Sequence, residues 1–421
     1  MRYVVIGNGI AGIHALEMIR GHDPEGSITV VAGEPFPPYC RPMISLLLEG
    51  AIRDRDLPIR PPDFYGTNGV EAVVGERVEH IDVENRVVVM DRARKIPYDR
   101  LLVASGADPR GIKAQGLGLR RIFFMRNQAH VQGMVHCLPE VKRALVLGGG
   151  LVGFKAAYGL LRRGVQVTML IRSDYPLSMQ VDSFAGGLIL DELVRKGLQV
   201  RVGLEAVAFE GNGAVREAHL DDGSALSCEM VVIGKGVRPA TSFLPRERIQ
   251  VDLGVLVDDR LETSVPGVYA AGDVAEHFDV ARKCRWVNAI WPVAVEQGRV
   301  AGMNMAGLQV TYKGSLGRNV MRVFDMDVLS GGLVNPPDEG CRVLADFSPR
   351  QGMYRKLVMR DGKLVGLVMV NRIEEGGTLL SLIHQEVPIR IPDELLLAAS
   401  FNCGRLLTLN TGSPQAGRSN R

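Results

Sequence analysis

No two cysteines in this chain stand at the C-x-x-C or C-x-x-x-x-C spacing of a redox pair or a metal knuckle. The six present, Cys40, Cys137, Cys228, Cys284, Cys341 and Cys403, are scattered. That argues against a disulfide framework and against a zinc or iron–sulfur site, and the expectation is reduced thiols in a cytoplasmic protein. No apolar run approaches the ~18 residues of a membrane-spanning helix. No charged and apolar leader precedes the first strand, so no secretory signal is expected. Neither sign of charge dominates: 50 Lys+Arg against 47 Asp+Glu leave +3, without the basic excess of a nucleic-acid binder. No Gly-X-Y period occurs, although glycine is abundant, 49 of 421 residues or about 12% against a typical ~7%. Such a chain, with 46% apolar and 23% charged residues, is globular and needs many tight turns or close backbone approaches. Its length implies two or three domains.

The first cluster of glycines has a complete context. Arg2–Ile6 reads as a strand, Gly7-Asn8-Gly9-Ile10-Ala11-Gly12 follows, and Ile13–Arg20 reads as an amphipathic helix. Ile28–Val31 is the next strand, with Glu34 just past its end and 22 residues after Gly12. In this strand–G-x-G-x-x-G–helix–strand–acid order, Gly7 permits the turn, Gly9 admits a pyrophosphate, and Gly12 lets helix and strand pack closely. The helix N-terminus, with Ile10 and Ala11 in the loop that leads into it, offers unpaired N–H groups to the phosphates, and Glu34 can accept from ribose hydroxyls. A dinucleotide site outweighs a merely structural turn.

The pattern returns about 140 residues later. Ala144–Leu147 is a strand, Gly148-Gly149-Gly150-Leu151-Val152-Gly153 the turn, Phe154–Arg163 a helix ended by Gly164, and Val165–Ile171 the next strand. Two fingerprints in one chain point to two cofactors with electrons passing between them. The second strand ends without an acid, in Ile171 followed by Arg172. An arginine suits a 2′-phosphate, so NADPH is favoured over NADH, the alternative being that Arg172 is a solvated surface charge.

These motifs, in this order, resemble the FAD-dependent pyridine nucleotide–disulfide oxidoreductase superfamily, especially the branch of rubredoxin and ferredoxin reductases and the flavoprotein portion of nitrite reductase. The likeness covers roughly residues 1–385. Pro38-Tyr39-Cys40-Arg41-Pro42-Met43-Ile44-Ser45 is similar to a segment whose basic residue, here Arg41, contacts FAD. Tyr98–Arg110 resembles the edge of the FAD domain, and Arg126 falls where relatives place an arginine near FAD. The resemblance adds Val78, Ala104, Ser105 and Gly106 to the FAD contacts, and Gly234, in Val231–Pro239, to the NAD(P)H side. Val268-Tyr269-Ala270-Ala271-Gly272-Asp273 is similar to the second FAD motif, with Gly272 for close approach and Asp273 for a ribityl hydroxyl. Pro292 suits a helix start, which would turn the amides near Val293 and Ala294 toward the flavin.

Three positions depart from that pattern. The paired redox cysteines are missing, and Cys40 stands at the variable position between tyrosine and arginine, so it reads as a small side chain near FAD or, alternatively, as a redox thiol. Where relatives commonly carry glutamate, two residues after the second fingerprint, this chain has Lys155, which either tunes the flavin–nicotinamide contact or pairs with a neighbouring carboxylate. Leu46 replaces a frequent basic residue.

The implied fold is α/β: two Rossmann-like FAD- and NAD(P)-binding domains, one inserted in the other, plus a smaller α+β C-terminal domain. FAD-binding pieces at 1–110 and 240–315 flank an NAD(P)H unit at 111–239, and 316–421 forms the third region. There a strand–Asp361-Gly362-Lys363–strand pattern signals a hairpin, a helix follows at Gly377–Gln385, and Gly412–Arg421 reads as a mobile tail. The implied activity is hydride transfer from NADPH or NADH to FAD, then electron delivery to an external carrier such as rubredoxin or ferredoxin, less so to a quinone or oxygen. The alternatives are a thiol, persulfide or coenzyme A-disulfide reductase using Cys40, and a non-catalytic flavoprotein subunit or redox sensor. A homodimer through the C-terminal region is suggested by analogy, and no nucleic-acid partner is expected.

Overall fold

A computed structural model describes residues 1–337 and 340–398; Cys403 and the tail Gly412–Arg421 lie outside them. Contacts divide the chain into two compact units. The first takes Met1–Ser178, Leu193–Asp279 and Cys284–Ser315; the second takes Met179–Glu192, Val280–Lys283 and the chain from Leu316. Among the described residues no helix is long and apolar enough to cross a membrane.

The first unit holds two parallel five-stranded sheets. One runs Val268–Ala270, Arg100–Val103, Arg2–Ile6, Ser27–Ala32, Val70–Val74, every pairing parallel. Its strands come from both ends of the unit's chain, and the residues Tyr3–Ile6 of its central strand are all buried, as a parallel sheet covered on both faces requires. Helices Ile10–His22 and Trp291–Met305 pack against each other here. Their backbones nearly touch: a Cβ on Gly298 would lie 2.3 Å from the Ala11 carbonyl oxygen, and one on Gly302 2.4 Å from that of Ala15. Small residues four apart on each helix make that approach sterically possible.

The second sheet runs Gln199–Val202, Gln166–Ile171, Arg143–Leu147, Met230–Ile233, Ile122–Phe124, again all parallel. It is built wholly from the chain between the two parts of the first sheet. The two crossings lie side by side, since Ala107–Pro109 pairs antiparallel with Val237–Pro239. Helix Leu151–Arg162 starts three residues earlier than the apolar pattern implied, and Gly164, at φ +80°, stands one past its cap Arg163.

The second unit is an antiparallel sheet in the order Arg318–Val323, Met326–Gly332, Lys363–Val370, Met353–Arg360, Arg342–Ser348. The Asp361-Gly362 turn takes positive φ at both residues, 51° and 70°, as a two-residue hairpin with right-handed strand twist requires. Helix Gly376–His384 covers one face, where Arg355 meets Glu375 at 3.2 Å. On the other face Tyr354 and Lys356 both reach the buried carboxylate of Asp182, at 2.7 and 3.0 Å. Residues 354 and 356 share a face and 355 takes the opposite one, as strand pleating dictates.

Candidate functional site

The two glycine turns of the first unit share one geometry. Gly7 has φ +109° and donates its N–H to Val31 at 2.7 Å; Gly148 has φ +113° and donates to Leu170 at 2.8 Å. A Cβ on Gly7 would lie 2.2 Å from the Ala104 carbonyl oxygen, and one on Gly148 2.5 Å from that of Gly234. Gly12 and Gly153 close the turns, with only 2.0 and 1.9 Å between a Cβ and the carbonyl oxygens of Gly7 and Gly148. No side chain fits at any of these four positions.

Gly9 and Gly150 differ. A Cβ there would meet nothing within 4 Å. Each caps its helix in extended backbone without a side-chain hydrogen bond, and neither helix has an acid in its first turn. Ile10 and Ala11, like Leu151 and Val152, occupy the first helical turn. The leading amides therefore remain free of side-chain caps beneath open space, which is what a pyrophosphate needs.

The far side of the first cradle comes from the other end of the unit. Gly272, at φ +83°, brings its Cβ position 3.1 Å from Ala11 Cβ and 3.5 Å from Ala294 Cβ. Its N–H donates to Gln297 Oε1 at 2.8 Å, and Gln297 is only 2% exposed. No local motif marks Gln297, because a buried amide with one backbone partner is a structural signal. Helix Trp291–Met305 begins one residue before Pro292, with Pro292, Val293 and Ala294 in a first turn lacking acids and side-chain caps. Ser105 Oγ donates to Ala240 O at 2.9 Å, and the Gly106 carbonyl accepts from the Ala240 N–H. Val78 opens the strand Val78–Asp82 of a small antiparallel sheet.

Four charged residues expected near FAD are joined in one chain of bonds. Arg126 Nη2 lies 3.0 Å from Asp273 Oδ2, while its Nε donates to Ala107 O at 2.7 Å. Arg41 donates to Arg126 O at 2.9 Å and to Glu34 Oε1 at 2.7 Å. Tyr39 donates to Glu34 Oε2 at 2.7 Å. Burial pushes the Tyr39 hydroxyl well up, so it stays a donor. Burial also works against the Arg41 charge, but Tyr39 and Glu34 hold it and leave its pKa raised. Each Glu34 oxygen is engaged within the protein yet keeps a lone pair for a further hydroxyl.

In the second cradle Arg172 is not free: its Nη1 lies 3.1 Å from Asp221 Oδ2, with the arginine side chain 64% exposed. Where helix Leu151–Arg162 packs on helix Ile44–Glu49, the structure brings together two residues that the sequence treats separately. Lys155, on helix Leu151–Arg162, is half-buried, and burial lowers its pKa while Cys40 raises it. Burial in turn raises the Cys40 thiol, against the pull of the Met43 N–H and of Lys155. The five cysteines among the described residues are all free.

Comparison with known proteins bears on the family and the fold. The family model for pyridine nucleotide-disulphide oxidoreductases matches residues 1–298, and that for the rubredoxin NAD+ reductase C-terminal domain matches 318–387. The chain is 31% identical over 388 residues to a nitrite reductase [NAD(P)H] of Bacillus subtilis, covering 92% of this chain but 47% of that protein. It thus spans about half the length of that relative. It is 30% identical over 414 residues to the NADH-dependent phenylglyoxylate dehydrogenase subunit epsilon of Aromatoleum evansii, covering 97% of this chain and 98% of the other. A solved putidaredoxin reductase, in covalent complex with putidaredoxin, has the same fold, with TM-score 0.89, 22% identity, and coverage of 98% and 99%.

Proposed function

This chain belongs to the pyridine nucleotide-disulphide oxidoreductase family, whose members bind FAD and NAD(P)H, and from that premise we propose that it is an FAD-dependent NAD(P)H oxidoreductase that passes electrons to a small redox-carrier protein. The observation that carries the reading is the repeated cradle: two glycine turns of one geometry in one compact unit, each with an uncapped helix start under open space. Bound there, the two cofactors supply hydride transfer from nicotinamide to flavin and onward release of electrons. The protein's part is binding and orientation. The Gly7 turn holds FAD and the Gly148 turn NAD(P)H, each by backbone amides. Glu34, Arg41, Arg126 and Asp273 fix one another, so the bonding capacity they keep would be held ready for the ribose and ribityl hydroxyls of FAD.

An external acceptor is supported by the cysteines, which are free and nowhere paired at redox spacing among the described residues. A carrier protein is supported by the match of residues 318–387 to a rubredoxin NAD+ reductase domain and by the fold shared with a reductase solved in complex with putidaredoxin. NADPH as donor is supported by the strand Gln166–Ile171 ending without an acid before Arg172, and NADH by the Asp221 carboxylate that already neutralises that arginine. A second reading, an electron-input chain of a larger assembly, is favoured by the full-length relative named as a subunit.

Anaerobic stopped-flow mixing of the FAD-loaded protein with NADPH or NADH, followed by reoxidation with rubredoxin or ferredoxin, tests both readings. Rapid bleaching and rapid reoxidation by a carrier are expected. A protein that never retains added flavin ends the proposal. Fast bleaching without reoxidation by any small carrier moves the case to the assembly.

A further inference from the structure

We propose that Lys155 is the counter-charge for a reduced, anionic cofactor ring between the two cradles, and so sets how easily that ring is reduced. The inference rests on the function proposed above. Helix Leu151–Arg162 packs against helix Ile44–Glu49 so closely that a Cβ on Gly159 would lie 3.1 Å from Leu48 Cγ and 3.3 Å from Glu49 N. The other cations at this seam are satisfied. Arg162 pairs with Glu49 at 3.4 Å, and Arg163 donates to Leu48 O at 2.8 Å and Leu47 O at 3.3 Å. Lys155 has no hydrogen bond and no ion pair among the described residues, and the one titratable group acting on it is the Cys40 thiol. A neighbouring carboxylate, the structural explanation for such a lysine, is therefore missing among the described residues. Cys40 does not supply the negative charge either, because burial favours its neutral form.

An uncompensated ammonium taken partly out of water is unfavourable unless the working state brings it an anion. Electron transfer between the two cofactors requires their rings to meet, and Lys155 follows the second glycine turn by two residues on a helix packed against Ile44–Glu49, just after the Cys40-Arg41 segment that bonds Glu34 of the first site. There a neutral flavin that takes up two electrons and one proton gains one negative charge. A fixed cation favours that product over the oxidised ring.

The test loads the protein with FAD and reduces it by light and EDTA against a reference dye, with neither NAD(P)H nor carrier present. Failure of the proposed function therefore cannot mask the result. For Lys155→Met the ratio of reduced to oxidised flavin at a given dye ratio should fall about tenfold, ~30 mV for a two-electron couple. Lys155→Arg should restore most of it, and Cys40→Ser should leave the ratio unmoved. An unchanged ratio in a Lys155→Met protein that binds FAD and melts normally overturns the proposal, as does an equal shift in Cys40→Ser. Lys155→Gln provides a second neutral variant. Loss of oxidised FAD from both neutral variants would make Lys155 a binding residue instead and would also overturn it.

Discussion

Arg126 crosses 147 residues of sequence to place its Nη2 3.0 Å from Asp273 Oδ2. The bond joins the entry to the inserted fold with the second FAD motif, and both side chains are about one-fifth exposed. Asp273 is thereby held while Arg126 is itself held by Ala107 and Arg41. One link fixes the whole row from Glu34 to Asp273.

Arg126→Met should accordingly remove two charge-assisted bonds and leave Asp273 without its cation. Hydrogen bonds to charged groups are each worth about 1.5–3 kcal/mol, so the FAD-loaded protein should melt several degrees lower and lose flavin on gel filtration. Arg126→Lys should recover only part of the loss, since an ammonium cannot match the fork of donors on guanidinium. Unchanged flavin retention in both variants would separate this pair from the cofactor.

The glycines of one turn should fail in different ways. Gly12→Ala forces a methyl to within 2.0 Å of the Gly7 carbonyl oxygen, so the apo-protein itself should be destabilised by about 1–3 kcal/mol. Gly9→Ala meets nothing within 4 Å; its apo-protein should melt normally, while FAD affinity falls because the methyl enters the space required by the pyrophosphate. Gly150→Ala should spare flavin content and raise the KM for NAD(P)H. Calorimetry of apo-proteins alongside flavin titration distinguishes the three.

Those turns were legible because their information is local. Arg2–Ile6 is the strand the apolar run implies, and Asp361-Gly362 is a hairpin because two adjacent residues at positive φ need that chemistry. Partners distant in sequence were not legible. Nothing near Glu34 says that both its oxygens are shared with Tyr39 and Arg41, and nothing near Lys155 says that Cys40, and no carboxylate among the described residues, is the titratable group acting on it. The grouping of Met179–Glu192 with the C-terminal sheet was equally hidden, because it rests on Asp182 meeting Tyr354, 172 residues away. Side-chain partnership across such spans depends on topology, which periodicity does not encode.

Donor choice should respond to Asp221. Its carboxylate sits 3.1 Å from Arg172 and offsets the charge that a 2′-phosphate would use. Asp221→Asn should raise kcat/KM for NADPH relative to NADH by roughly fivefold, the ~1 kcal/mol scale of an exposed pair. Arg172→Ala should move the ratio the other way. If neither variant alters it, Arg172 is a solvated surface charge and the 2′-phosphate is read elsewhere.

Alkylation of Cys40 provides a pH test of the seam. Burial raises the thiol pKa, so labelling by iodoacetamide, followed by peptide mapping, should be slow near neutrality and accelerate only above the ordinary thiol range. The sign of the Lys155 effect is fixed: an ammonium favours thiolate, so it lowers the Cys40 pKa, and removing it must raise that pKa further. Lys155→Met should therefore shift the labelling curve to higher pH, with labelling at any intermediate pH slower than in the parent. A shift to lower pH, or identical curves, would mean that the two groups do not face each other in solution. Cys40→Ser should meanwhile keep NAD(P)H-dependent dye reduction, because a neutral, half-buried thiol is a poor nucleophile. Loss of turnover in that variant would instead favour a thiol or persulfide reductase.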